Sequence, residues 1–405
     1  MGLTHKKDLR TGRPVWSVYR HEAPAESRLL RSVRADVVIV GAGITGALLA
    51  HSLVERGHRP LILERRRGAM LGSTAASTAL LQFELDTPLV HLGRKIGVRA
   101  AERAWKCSYA AVNELRTQAI RCGIPARLET RPSLYLAGNL LDARGLAREV
   151  KRRQALGLPS EWLSRQSLRH HFDIDRPAAI LSHGNAEADP VALAGGFLSR
   201  AIRRGARLHA PHEVVDLHAS ARGATLVTQE GLEIQGRHVV FCTGYELPKI
   251  VKAEGHRIES TWAIATDPQP QRLWPQRALI WEASEPYLYA RATASGHIIF
   301  GGEDEPISDA EKRDSLIDAK TGALEKKLAK LFPHVNARAR FAWTGSFGAS
   351  ASGVPTFGRI PDYPCCFAVL GYGGNGITFS MLAARMIAEA LSGKPDEDSG
   401  LFAFR

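Results

Sequence analysis

An α/β fold built around a parallel sheet is expected from three features of this 405-residue chain. The run Ala35-Asp36-Val37-Val38-Ile39-Val40 flows into Gly41-Ala42-Gly43-Ile44-Thr45-Gly46 and then into an apolar helical stretch, Ala47–Val54. A second apolar run, Leu61-Ile62-Leu63, follows soon after and ends in Glu64; a third, Val239-Val240-Phe241-Cys242, ends in another glycine turn, Thr243-Gly244. Strands that read as short continuous apolar runs are those covered on both faces of a parallel sheet.

The first strand, turn and helix carry the most information. Gly41 suits the tight turn, Gly43 the close approach of a pyrophosphate, and Gly46 the packing of helix on strand. The helix start at Ile44 and Thr45 offers free N–H groups and the positive end of the helix dipole to phosphates. Gly57 closes this helix. Glu64, at the end of the next strand, stands where an acid accepts hydrogen bonds from a ribose. An uncharged stretch of membrane-span length, between Asp36 and Glu55, is thereby explained as a nucleotide-binding turn, and no membrane span is expected.

After Glu64 an NAD-binding chain would normally continue with another strand–helix unit. Here Arg65-Arg66-Arg67-Gly68 comes first, then Gly72-Ser73-Thr74-Ala75-Ala76-Ser77-Thr78, a small, hydroxyl-rich segment suited to close backbone approach to further phosphates or a flat ring. The arginines would fit a 2′-phosphate, but Glu64 already takes the ribose position. FAD is the expected dinucleotide.

Further along, Thr87-Pro88 predicts an N-cap and first helical position for a long helix to about Ile120. Leu134–Ala137 reads as a strand. Asp142 caps a basic helix through Arg153, and Asp189-Pro190 opens another that stops before Gly205. Val214–Leu217 and Thr225–Thr228 are short strands, and alternating strands follow from Thr261 to Phe300. A charged helix is expected over 309–331 and an amphipathic one from Thr378 to Leu391. Just before it, Gly371-Tyr372-Gly373-Gly374-Asn375-Gly376-Ile377-Thr378 gathers backbone N–H groups at a helix start, an anion site in kind.

Composition narrows the function. With 44% hydrophobic and 23% charged residues the chain is globular, and its length suggests two or three domain-sized units. Its formal charge of +13 is spread along the sequence rather than clustered, so a nucleic-acid partner is not expected. Five cysteines (107, 122, 242, 365 and 366) show no metal-ligand spacing, and the 365–366 neighbours are badly placed for a disulfide. No metal site is expected. With no apolar leader visible in the first residues, the expected compartment is the cytoplasm.

These segments together resemble the D-amino-acid oxidase/sarcosine oxidase family of FAD-dependent oxidoreductases, from about Ala35 to the C-terminus. The resemblance is carried by the Gly41–Gly46 turn with Glu64, by Gly72–Thr78, by Thr243-Gly244 and by Gly371–Thr378; it is nearest a bacterial subgroup of unassigned substrate. It implies a Rossmann-like FAD-binding domain from residues 35–86, 178–250 and 351–405. An inserted antiparallel-sheet substrate domain would span 87–177 and 251–350, after a basic segment, 1–34. It implies cofactor contacts at Gly41, Gly43, Ile44, Thr45, Gly46, Glu64 and Arg65, then at Ser73, Thr74, Val215, Thr243 and Gly244. The loop would add Gly373, Gly374, Asn375, Gly376, Ile377 and Thr378. The implied reaction is oxidation of the C–N bond of an amino acid or amine by hydride transfer to the flavin, giving an imine.

Two departures from the family bear on cofactor and acceptor. Residues 343–351 contain no cysteine, so the FAD is expected to be non-covalent. A lysine that such oxidases hold over the flavin is matched by Ile298 or Ile299, so either oxygen or another carrier could take the electrons. On the substrate side, period-two alternation puts Tyr287, Tyr289 and Arg291 on one face of a strand. An arginine among phenols can receive a carboxylate in bidentate fashion, and the resemblance favours that role over a solvent-facing edge. Gln82 is a further candidate for a contact with the flavin ring. Two other readings, a flavoprotein acting on a tRNA-borne amine and a non-catalytic FAD-fold subunit, are opposed respectively by the lack of an RNA-binding module and by the intact glycine turns.

Overall fold

The computed structural model describes residues 2–404. Two sheets organise the chain. In the smaller, eight-stranded one the order is Thr356–Ile360, Tyr363–Leu370, Glu233–Phe241, Val33–Val40, Leu61–Leu63 and Arg207–His209. From Tyr363–Leu370 onward every neighbour pair is parallel. Strict alternation along Val37–Val40 decides what each face packs on. Val37 and Ile39 join a core with helices Ile44–Val54, Pro190–Arg203 and Gly376–Leu391, whereas Val38 and Val40 meet the hairpin Val214–Ser220/Gly223–Thr228. This is the α/β unit with both faces covered that the apolar runs required.

The larger sheet has ten strands, almost all antiparallel, running from Arg10–Gly12 at one edge through Ala339–Ser350, His256–Thr266, Ile298–Glu305 and Leu288–Ala292. It continues with Leu279–Glu282, Glu129–Leu136, Ala178–Glu187 and Leu80–Leu81; Leu279–Glu282 pairs with Glu129–Leu136 in parallel. The strand at 178–187 therefore lies in the larger sheet, paired with Glu129–Leu136, and not in the nucleotide-binding unit where the sequence boundaries put it. The basic N-terminal segment is also structured: Arg10–Gly12 pairs with Gly345, Thr344 and Trp343.

Two helices start where their capping acids stand: Asp142 accepts from Gly145 N, and Asp189 accepts from Val191 and Ala192 N. The long helix after Pro88 is instead two, Leu89–Ile96 and Val98–Arg121, broken at Gly97 with φ +89°. Its cap is also not Thr87. The Glu149 carboxylate accepts from Leu89 N and Val90 N, 2.9 Å each, a tertiary cap no local pattern shows. The charged helix over 309–331 divides likewise into Ala310–Ser315 and Ile317–Leu331. No helix among the described residues is long and apolar enough to cross a membrane, and no group of His, Cys, Asp or Glu among them is arranged to hold a metal.

Candidate active site

Between the two sheets lies an elongated cavity of about 1840 Å³, mouth included. One end is the glycine turn. Gly41 has φ +108°, and a Cβ there would stand 2.4 Å from the Cys242 carbonyl oxygen. A Cβ on Gly46 would lie 2.0 Å from the Gly41 carbonyl oxygen, so this glycine lets the helix seat against the turn, and it does not itself line the cavity. Gly43 faces open space, with only the Thr74 hydroxyl near. The Glu64 carboxylate accepts from Ala42 N at 2.9 Å and Arg66 N at 2.7 Å, and Thr74 Oγ1 accepts from Ile44 N at 3.0 Å. These bonds hold the turn rigid while leaving Glu64 lone pairs for a hydroxyl ligand.

Arg65 and Arg66 flank this end, both paired to the buried Glu246, which also accepts from Lys7 N at 2.8 Å. Arg65 Nε and Ser73 Oγ are buried without a partner on the same wall. Thr243 and Gly244 line it too. The expectation for Val215 shifts by one residue: the wall is His212, Glu213 and Val214, and alternation turns Val215 away.

The loop Gly371–Gly376 differs from a free anion site. Its Gly374 N–H is donated to the chain's own Asp86 carboxylate at 2.7 Å. A Cβ on Gly373 would sit 2.2 Å from Asp86 Oδ2, and the Gly373 φ is +57°, so the glycines admit this side chain. Gly373, Gly374, Asn375, Gly376 and Ile377 line the cavity. Thr378 does not; its hydroxyl donates to the Gln82 carbonyl at 2.9 Å, and Asn375 Nδ2 donates to the Glu84 carbonyl at 2.6 Å. Both tie the helix start to the segment opposite.

That segment forms one wall. Leu81, Phe83 and Leu85 are in the core, while Gln82, Glu84 and Asp86 all face the cavity. Gln82 Nε2 and Glu84 Oε2 have no partner. Tyr245, Trp281, Tyr287, Tyr289 and Phe347 close the chamber. A Cβ on Gly301 would stand 2.3 Å from the Tyr289 phenol oxygen, so this glycine gives the ring its place. Asp86 opens onto the cavity, but the protein packed around it desolvates its carboxyl and, with Gly374 donation opposing and the Glu259 charge adding, pushes it up to about 6. Burial, helped by the charges of Asp304 and Asp86, holds the Tyr287 phenol well above its ordinary value.

Arg291 is a correction. It lies two residues beyond Tyr289, but its stem carries the guanidinium out of the chamber, near the Trp16 ring. There Nη1 donates to the carbonyls of Thr78, Ala79 and Ala188 at 3.0, 2.8 and 2.9 Å, and Nη2 is 3.4 Å from Glu187 Oε2. With 2% of its surface exposed and Nη1 held by three carbonyls, it does not line the cavity and is not placed to receive a substrate carboxylate. Alternation predicted the side of the strand correctly and could not predict where a long side chain ends.

Compared with known proteins, residues 36–390 match the profile of the family described as FAD dependent oxidoreductase. The chain belongs to that family. It is 24% identical to gamma-glutamylputrescine oxidoreductase of Escherichia coli (strain K12), over 90% of this chain and 85% of that one. It is 25% identical to glycine oxidase of Geobacillus kaustophilus (strain HTA426), over 89% and 94% respectively. The crystal structure of glycine oxidase from Geobacillus kaustophilus superposes with a TM-score of 0.73 at 22% identity, covering 90% of this chain and 96% of that one; at this identity it shows the fold.

The protein is thus an FAD-dependent oxidoreductase with the Rossmann-like region and inserted sheet domain of that fold. The wall residues suit FAD on chemical grounds. Unpartnered donors at Arg65 and Ser73 and the open space above Gly43 fit phosphates, and Glu64 fits a ribose. Gln82 Nε2 is buried without a partner on the cavity wall. Ile298 and Ile299 are buried in separate cores, and no lysine lines the cavity among the described residues. Asp86, Glu84, Tyr245 and Phe347 were missed in the sequence. A signal existed for the acids: Gln82, Glu84 and Asp86 are polar at every second position among apolar neighbours.

Proposed function

We propose that this enzyme oxidises the C–N bond of a small amine or amino acid to an imine, which water then hydrolyses to a carbonyl compound and an amine. The observation that supports this reading is the continuity of one cavity from the glycine turn to a closed aromatic chamber. When bound, FAD supplies a two-electron acceptor for a hydride from the substrate carbon.

The chain's own part is positional. Tyr245, Tyr287, Tyr289, Trp281 and Phe347 exclude water and fix the orientation of a flat or extended substrate, and such alignment contributes much of the rate in reactions without strong acid–base demands. The phenols stay protonated, because burial raises Tyr287 and Tyr289, and so can donate hydrogen bonds. The two relatives, one named for an amine and the other for glycine, support an amine or amino acid as the substrate class.

Anaerobic mixing of the FAD-loaded protein with a panel of amines and amino acids tests the reading, with bleaching of the flavin band expected for at least one. A flavin that none of them bleaches, but that dithionite reduces, would count against it. Peroxide formation compared with dye reduction under the same turnover then assigns the acceptor as oxygen or another carrier.

A further inference from the structure

Resting on that reading, we infer that the substrate is a cationic amine without a carboxylate on the reacting carbon, and that Asp86 receives its ammonium group and takes the proton that leaves before hydride loss, freeing the nitrogen lone pair that forms the imine. The argument is one of charge inventory. The cationic side chains lining the cavity are Arg65 and Arg66, both at the Glu64 end and both held by Glu246. At the chamber end the charged groups on the wall are Asp86 and Glu84.

Two arginines stand behind the wall, each facing buried carboxylates of its own. Arg291 is spent on three backbone carbonyls and Glu187. Arg153 donates from Nε to Glu149 at 2.8 Å, and its Nη1, which has no hydrogen-bond partner, stands 3.8 Å from Glu84 Oε1, so its charge balances that of Glu84. A substrate carboxylate entering here would meet the charge of Asp86 with no cation on the chamber wall to offset it, Arg153 behind the wall being matched by Glu149 and Glu84, which disfavours it.

An ammonium group meets the opposite. Asp86 is exposed to the cavity and carries a single protein hydrogen bond, from Gly374 N, leaving acceptor capacity directed at the chamber. Independently, Glu84 Oε2 is unpartnered on a residue 1% exposed, so a buried acceptor on the same wall awaits a donor. Tyr245, Tyr287, Trp281 and Phe347 surround the space, and aromatic faces attract a desolvated cation. Carboxylate, free acceptor and ring faces together describe a cation receptor.

The test uses FAD-loaded protein and matched pairs: a series of primary and N-methyl alkylamines, and the same compounds bearing an α-carboxylate in either hand. Flavin reduction should favour the amine of each pair by about 100-fold or more, the scale of a lost charge pair. Calorimetry with two inert probes gives a readout independent of turnover: benzyltrimethylammonium should bind and benzoate should not. Asp86→Asn keeps the acceptor for Gly374 N but removes the charge; it should weaken both amine turnover and probe binding by about 30-fold or more while FAD content stays unchanged. If amino acids reduce the flavin and amines do not, oxidation at this site stands and the charge inference falls. If no compound reduces the flavin although the ammonium probe binds, the oxidation reading falls instead. An Asp86→Asn protein with an unchanged amine-to-amino-acid ratio also overturns the inference.

Discussion

Replacing Arg291 by alanine should destabilise the protein rather than change which substrate it takes. Four interactions set the magnitude: donations to Thr78, Ala79 and Ala188 carbonyls and the 3.4 Å contact with Glu187. Deleting a buried guanidinium leaves the carbonyls without a partner and strips a buried carboxylate of one cation. Glu187 keeps Arg131 at 3.1 Å, which limits the loss. Breaking a buried pair typically costs about 3–5 kcal/mol, and the low end applies here because of that second partner. Thr78 and Ala79 line the cavity, and Ala79 holds φ +54°, so FAD affinity should fall as this wall loosens. The assay is urea unfolding with and without added FAD, alongside flavin reduction by the best substrate found. A variant as stable as the parent, with turnover lost only for carboxylated substrates, would refute the placement of Arg291 as a structural clamp.

Further outcomes follow from single features. Gly43→Val should abolish FAD binding while the chain still folds, because the side chain would fill open space beside Thr74; retained flavin absorbance would show that the phosphates lie elsewhere. Gly373→Ala should displace Asp86, since its Cβ would fall 2.2 Å from Oδ2 at φ +57°, and amine affinity should drop more than FAD affinity. Amine binding should hold above pH about 6 and weaken as the pH falls through that value, because protonation discharges Asp86. The groups around it are Tyr135, Tyr245, Tyr287, Glu259 and Asp304; Asp304 is pushed by burial up to about 7, so only a limb absent from Asp86→Asn belongs to Asp86. Acid precipitation should release FAD to the supernatant, since the thiol on the cavity wall, Cys242, is buried and held far from its thiolate form; flavin in the pellet would overturn this.

The nucleotide-binding half was readable because local rules govern it. A tight turn, a helix start and an acid at a strand end lie within one short stretch, and each depends on backbone geometry that glycine or its absence controls. The larger sheet was harder, since its strands pair across distant segments, as when Leu80–Leu81 meets Ala178–Glu187. Glu149 capping Leu89 and Asp86 taking Gly374 N–H are contacts between residues 60 and 288 positions apart. Arg291 shows the sharper limit. Its strand position obeys alternation, but a flexible stem of three methylenes decides its partners, and those partners come from elsewhere in the fold.

The cavity wall draws on Thr4 and Leu9 near one end of the chain and on Ile377 and Ser380 near the other, with Ser346 N donating to the Leu9 carbonyl to close the ring. A ligand spanning that wall is a keystone. Once seated, FAD ties these sequence-distant segments together; at a free concentration one hundred times its Kd it adds about 2.7 kcal/mol to the stability of the assembled state. Starvation for flavin should therefore lower the amount of folded protein in the cell, and not merely its activity.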